Sequence, residues 1–304
     1  MTCGWSPGRA CGVVFLLVVG GMSLVAACSP GCSPESNERC RQIVRRALVH
    51  GNTVRRVPFK GSLEETLYAA AVDSARIRRK FVEELRACGS KGERALAEAI
   101  KSAAPGRGRR FLIGLLTDVM PATTSDAEVV LREVAYLDLT ENEVEMVSYM
   151  LARLCRRMMR TPAFASGRAL EWSYHKKSDI RQNSVVILLG SRDPECAARV
   201  RDLLVEDACV DVRRNAATMG FRAAGRRYKE NLRVLWDAMQ DPDDGVRRRA
   251  WSSLRALVEP GDLPGGGDVD PKPFGARYGD WYGKIGSRLE WSDELGRFAS
   301  VSPR

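Results

Sequence analysis

The stretch DVRRNAATMGFRAAG, residues 211–225, sets two arginines at the head of a run of alanines, and a related segment stands on either side of it. Upstream, from Asp179, the chain reads DIRQNSVVILLG; downstream, from Gly245, it reads GVRRRAWSSLRAL. Aligned, Ile180, Val212 and Val246 share one position, Arg181, Arg213 and Arg247 the next, and Ser184, Ala216 and Ala250 a small position three further on. The segments PECAARVRDLLVED and RRYKENLRVLWDAMQ precede the second and third copies as plausible first helices. A period in the thirties built of paired helices signals a solenoid, in which each hairpin buries its apolar face only by stacking on the next. Helical spacing puts Val212, Ala216, Met219 and Gly220 on one face, predicted buried. Arg214, Thr218 and Arg222 fall on the other side, with Arg248, Ser252 and Arg255 equivalent in the next copy. That face is either open to a partner or simply solvated.

These residues resemble the HEAT family, and more closely the bacterial HEAT-like repeats of phycobilisome lyases, whose second helix begins D-x-x-V-R-x-x-A or D-V-R-x-x-A-A-x-A-L-G. The likeness covers residues 166–258. It implies an α-solenoid in which the Asp at the start of each second helix caps free amides and the Arg two residues on reaches an acid of the next layer. Asp179, Arg181, Asp211, Arg213 and Arg247 are then a structural ladder. Second helices line the concave surface in that family, which makes Arg214, Arg222, Arg248 and Arg255 the candidate partner-binding set. Gly245 separates Asp244 from Val246 and breaks the pattern in the third copy.

The rest of the body is also written in helices. Ser62 to Glu65, Ser90 to Glu93 and Thr140 to Glu143 match the S/T-x-x-E capping box. Apolar residues follow at helical spacing, as in Ile77, Phe81, Val82 and Leu85, and Pro105-Gly106, Pro121 and Pro162 fall between such runs. Residues 38–258 are therefore predicted nearly all α, with 38–165 holding either degenerate repeats or a helical cap. After EPGDLPGGGDVDPKP, a loop by composition, residues 259–304 end in an irregular tail carrying Trp281, Tyr282, Trp291 and Phe298. The tail resembles the Trp-containing tails that follow HEAT-like repeats in some exported bacterial proteins. Its rings are expected to cover the last hydrophobic layer.

The amino terminus carries an apolar run, GVVFLLVVGGMSLVAAC, of signal-peptide length and short for a membrane span. Val25-Ala26-Ala27-Cys28 resembles a lipoprotein lipobox, which implies cleavage of residues 1–27, lipid on Cys28 and residence in the cell envelope. SPGCSPESN then reads as a flexible tether over residues 28–37. Arg39, Arg41, Arg45, Arg46, Arg55, Arg56 and Lys60 follow, suited either to an anionic leaflet or to a solvated helix face. The formal charge of +10 favours anionic partners, yet 39 of the 48 basic residues are Arg, an imbalance of the kind base composition alone produces. Six thiols remain after Cys28, with pairing undetermined.

No GxSxG, HExxH, P-loop or dinucleotide fingerprint occurs, and His50 and His175 stand far apart. The expectation is a noncatalytic, lipid-anchored scaffold that needs no cofactor or metal and binds a protein or peptide, an acidic one suiting its charge. The alternative is a basic nucleic-acid binder resembling alkylpurine DNA glycosylases, for which Trp236 and Asp237 are the nearest match to the pocket pair. An export signal argues against it.

Overall fold

The computed structural model describes residues 34–53, 63–120, 125–158, 160–221, 228–263 and 281–300. The fold is all-α, an α-solenoid. Its helices in chain order are α1 (Pro34–Thr53), α2 (Leu63–Ala87), α3 (Ser90–Ser102), α4 (Arg107–Val119), α5 (Ser125–Ala135) and α6 (Glu141–Met158). Then come α7 (Ala163–Trp172), α8 (Ser178–Leu188), α9 (Pro194–Glu206), α10 (Val210–Ala216), α11 (Glu230–Asp237) and α12 (Asp244–Leu257).

From α3 onward the helices pair as hairpins, and the pairs stack in two layers. Each first helix packs on the next, α3 on α5, then α7, α9 and α11, while α4, α6, α8, α10 and α12 form the second layer. Five hairpins therefore continue in one stack, two of them in the stretch where the sequence shows no period. Helices α1 and α2 pack across α3 and α4 and cover the N-terminal end. A continuous core of Leu, Ile, Val and Ala side chains runs from Ile43 to Leu257.

Local chemistry explains the boundaries. Asp193 caps α9, accepting from Glu195 N at 2.9 Å ahead of Pro194 at the first helical position, where the missing N–H is harmless. Asp243 caps α12 through Val246 N at 2.9 Å. Thr140 gives the capping-box reach-back, its amide donating to Glu143 Oε2 at 2.9 Å. Ser90 does not act as predicted: Gly89 holds the cap position of α3 with φ 58, and no side chain caps that helix. Ser62 lies outside the described residues. Helix α1 starts at Pro34, inside the stretch whose composition predicts a spacer to residue 37. Helix α10 stops at Ala216, and the chain continues as a 3-10 turn, Met219–Phe221, against α12. The buried face is as predicted, with Val212, Ala216, Met219 and Gly220 inside.

The described part of the tail is not irregular. Strands β1 (Leu289–Ser292) and β2 (Arg297–Ser300) pair antiparallel, Trp291 opposite Phe298, across a turn in which Gly296 takes φ 63. Leu289 and Phe298 are buried, and Glu259 N donates to Phe298 O at 2.8 Å. Trp281 Nε1 donates to Asp262 O at 2.8 Å, and its ring lies 5.1 Å from that of Trp236. Two partly apolar strands too short to read as a pattern become a hairpin because α12 offers them a surface. Among the described residues, no helix is long and apolar enough to cross a membrane.

Candidate interaction face

The repeated arginines do build a ladder, but on other acids than those expected. Arg181 forks onto Asp207, Nε to Oδ2 at 2.7 Å and Nη2 to Oδ1 at 2.9 Å. Arg213 repeats this on Asp241 at 2.8 and 3.3 Å. The third guanidinium nitrogen turns back to its own repeat: Arg181 Nη1 to His175 O, Arg213 Nη1 to Asp207 O, Arg247 Nη1 to Asp241 O. His175, Asp207 and Asp241 each stand six residues before the ladder arginine, in the turn between first and second helix. Each also accepts the amide two residues on, from Lys177, Cys209 and Asp243 respectively. One turn residue thus shapes the turn, and where it is an Asp it also holds the arginine of the preceding layer.

Asp179 and Asp211 are not ladder members. Asp179 is exposed and its carboxylate makes no hydrogen bond or ion pair among the described residues, and the Asp211 carboxylate pairs only with Arg214 on its own helix, at 2.9 Å. The acids that serve sit four residues earlier, where the turn aims them at the neighbouring layer. Arg247 stands on the last layer and turns to Asp244 at 3.2 Å.

Earlier in the stack the rungs change chemistry. Arg109 of α4 forks onto Glu143 of α6 at 2.8 and 2.6 Å, with both side chains buried, and donates also to Asp138 O at 2.8 Å. Burial pushes the Glu143 carboxyl up, but the Arg109 fork and the Thr140 amide and hydroxyl outweigh it and hold the group at about 2. Between α6 and α8 the polarity reverses, Lys177 reaching Glu145 at 3.1 Å. Burial likewise opposes ionisation of Asp207, and the Arg181 fork with the Cys209 amide brings it below the usual carboxylate range.

The candidate partner-binding arginines do not form a free basic patch. Arg214 is a second rung, forked onto Asp243 at 2.9 and 2.7 Å and bonded to Asp211. The same Asp243 caps α12, and its carboxyl is held down at about 2, first by Arg214. This also accounts for the inserted Gly245: a Cβ there would stand 2.7 Å from Arg214 Nε and 3.0 Å from Asp243 Oδ1. Arg248 is exposed but pairs with Asp244 one turn back. Arg255 is exposed and unpaired among the described residues. Arg222 lies outside them, as do Cys28 and the lipobox.

The sequence reading missed other cations. Arg156 and Arg157, near the end of α6, are exposed, as is Tyr149 on the same helix, and Arg153 there is half-buried; none of the three arginines makes an ion pair among the described residues. Their signal was present as R-x-x-R-R, but no repeat marked it. On the N-terminal cap, Arg39, Arg45 and Arg46 of α1 and Arg76, Arg79 and Lys80 of α2 are exposed. A shallow groove there is lined by Arg39, Gln42, Ile43, Arg45, Arg46 and Glu84. Arg46 pairs with Glu84 at 2.7 Å and Arg45 with Glu38 at 3.6 Å, whereas Arg39, Arg76, Arg79 and Lys80 pair with no acid among the described residues.

Trp236 packs on Trp281, and Asp237 is exposed and paired with Arg233 at 3.7 Å, so the two do not line a pocket. No group of three His, Cys, Asp or Glu that could share a metal ion occurs among the described residues. Compared with protein-family models and with curated proteins, the chain matches none.

Proposed function

We propose that the protein is a noncatalytic HEAT-like scaffold of the cell envelope, held at the membrane by lipid on Cys28 and presenting its second-helix layer to a protein or peptide. The observation that carries the anchored orientation is the basic cap. Cys28 precedes Pro34 by six residues, whose greatest possible reach keeps the start of α1 within about 20 Å of an acylated Cys28. That end of the stack is also where the unpaired cations Arg39, Arg76, Arg79 and Lys80 are exposed. Cations near an anionic leaflet contribute on the order of 1 kcal/mol each, which supplements acyl chains that hold poorly when single. The partner-facing charges are Arg156, Arg157 and Arg255 rather than the paired Arg214 and Arg248.

The test is metabolic labelling with an alkyne fatty acid, followed by detergent-phase partition. Wild-type protein should carry label and enter the detergent phase, and Cys28→Ala should lose both. Unlabelled protein retaining Met1 in the cytoplasm would overturn the reading. No observation favours the nucleic-acid alternative, since Trp236 and Asp237 do not converge.

A further inference from the structure

Cys40 lies on the inward face of α1, almost fully buried, and its thiol donates to Ser36 O at 3.1 Å. Lys91, in the first turn of α3, donates to Ser36 Oγ at 2.8 Å and so fixes the start of α3 against the first turns of α1. Cys88 stands in the tight turn between α2 and α3, half-buried against the core, where its amide donates to Leu85 O at 3.0 Å. The turn closes that far because residue 92 is Gly: a Cβ there would meet Cys88 Cβ at 3.2 Å and Leu85 O at 2.6 Å. On the other side of this junction the Cys88 thiol lies within hydrogen-bonding reach of the Cys40 thiol, and both are free thiols here. Burial first, and then the neighbouring thiol, pushes Cys40 up to about 12. The other buried thiols have different company, Cys155 beside Thr161 and Cys196 beside Ser191.

We propose that Cys40 and Cys88 are joined by a disulfide in the mature protein, clasping α1, the helix next to the lipid anchor, to the α2–α3 turn. The occurrence of the bond in cells rests on the envelope location proposed above; the pairing itself rests on the closeness of the two thiols at the α1–α3 junction. Cys88 is the more accessible thiol, so its thiolate attacks one sulfur of a disulfide oxidant and forms a mixed disulfide, releasing one thiol. The Cys40 thiolate then attacks Cys88 Sγ and releases the second. Two cysteine thiols are thereby oxidised, and one oxidant disulfide is reduced to two thiols. The bond ties the anchor-proximal helix to the stack, so that α1 cannot peel away without the rest.

The reduced full-length protein, incubated with oxidised glutathione, blocked with N-ethylmaleimide and digested with an endoproteinase cleaving after Glu, should give residues 39–64 linked to residues 85–93. Cleavage after Glu38, Glu64, Glu84 and Glu93 leaves one cysteine in each peptide. Closing a loop of roughly 50 residues should raise the melting temperature by about 10 °C, a gain reversed by dithiothreitol and absent in Cys88→Ser, which alters only a half-buried turn. A linkage to another cysteine, or glutathione adducts without the linked pair, would overturn the pairing. Trapping thiols in intact cells reads the compartment separately. A linked pair there supports both readings, and free thiols alongside closure by glutathione would tell against the envelope location while leaving the pairing intact.

Discussion

At the scale of residues, the two adjacent arginines of DVRRN are both structural, though they hold different things. Arg213 fixes the turn of the next layer through Asp241, and Arg214 fixes the cap of α12 through Asp243. Removing Arg213 strands a carboxylate that is mostly out of water, at a cost of roughly 2–4 kcal/mol, visible in denaturant titration. Arg214→Ala should also lower the melting temperature, but less, since its site is open to solvent. The inserted glycine offers a sharper check. Gly245→Ala should destabilise in the wild-type background and far less in Arg214→Ala, because the added methyl meets the guanidinium. Additive effects in that double-mutant cycle would mean the clash is with the Asp243 carboxylate instead. Glu143 supplies a pH signature. Its carboxyl sits at about 2 when folded and near 4.3 when unfolded. A depressed pKa contributes stability that is complete above the unfolded value and disappears as pH falls through the folded one. The stability difference between wild type and Glu143→Gln should therefore shrink between about pH 4.5 and pH 2, as urea titrations across that window would show.

At the scale of elements, a helix was legible wherever its apolar stripe ran uninterrupted, and a repeat only where its rung used the same residue types each time. The Arg position of the last three hairpins could be found by spacing because Arg181, Arg213 and Arg247 recur after an apolar residue. The acids could not, because the turn backbone decides that Asp207 and Asp241 reach across while Asp179 and Asp211 point away. Hairpins α3–α4 and α5–α6 stayed hidden for a related reason. Their rungs are Arg109 with Glu143 and Lys177 with Glu145, with different residues and, in the second, reversed polarity, so the same mechanical job leaves no common letters. Close approach is the other requirement that one letter reveals poorly. Gly220 packs so tightly on α12 that a Cβ would stand 2.4 Å from Ser253 O and 2.6 Å from its Cα, and Ser253 Oγ donates to Ala217 O at 2.6 Å beside it. Backbone on both sides cannot swing aside, so Gly220→Ala should cost about 3 kcal/mol, the upper range for overpacking. Thermal denaturation of the purified variant checks this, and an unchanged midpoint would show that the 3-10 turn after α10 can move away from α12 freely.

At the scale of the whole molecule, a stack in which each hairpin touches only its neighbours distributes stability along one dimension. Its ends need cover, and the two covers differ: α1 and α2 lie across the first hairpin, while the β-hairpin and Trp281 close the last. Phe298 is the centre of the second cover, buried and edge-on to Trp291 at 5.2 Å, its carbonyl accepting Glu259 N. Phe298→Ala should remove about 3–5 kcal/mol of local packing, yet a one-dimensional stack has no route for sharing that loss evenly. Amide hydrogen exchange should accelerate in α11 and α12, fall off through α9 and α10, and leave α3 to α6 at wild-type rates. Arg109→Ala should give the converse, with faster exchange in α4 and α6 while α12 stays protected, since the buried Glu143 is left without its partner. If either variant accelerated every helix equally, the chain would be unfolding as one cooperative block. The layer-by-layer account of the ladder would then fail, because rungs that act only between neighbours cannot transmit a loss from residue 298 to residue 100.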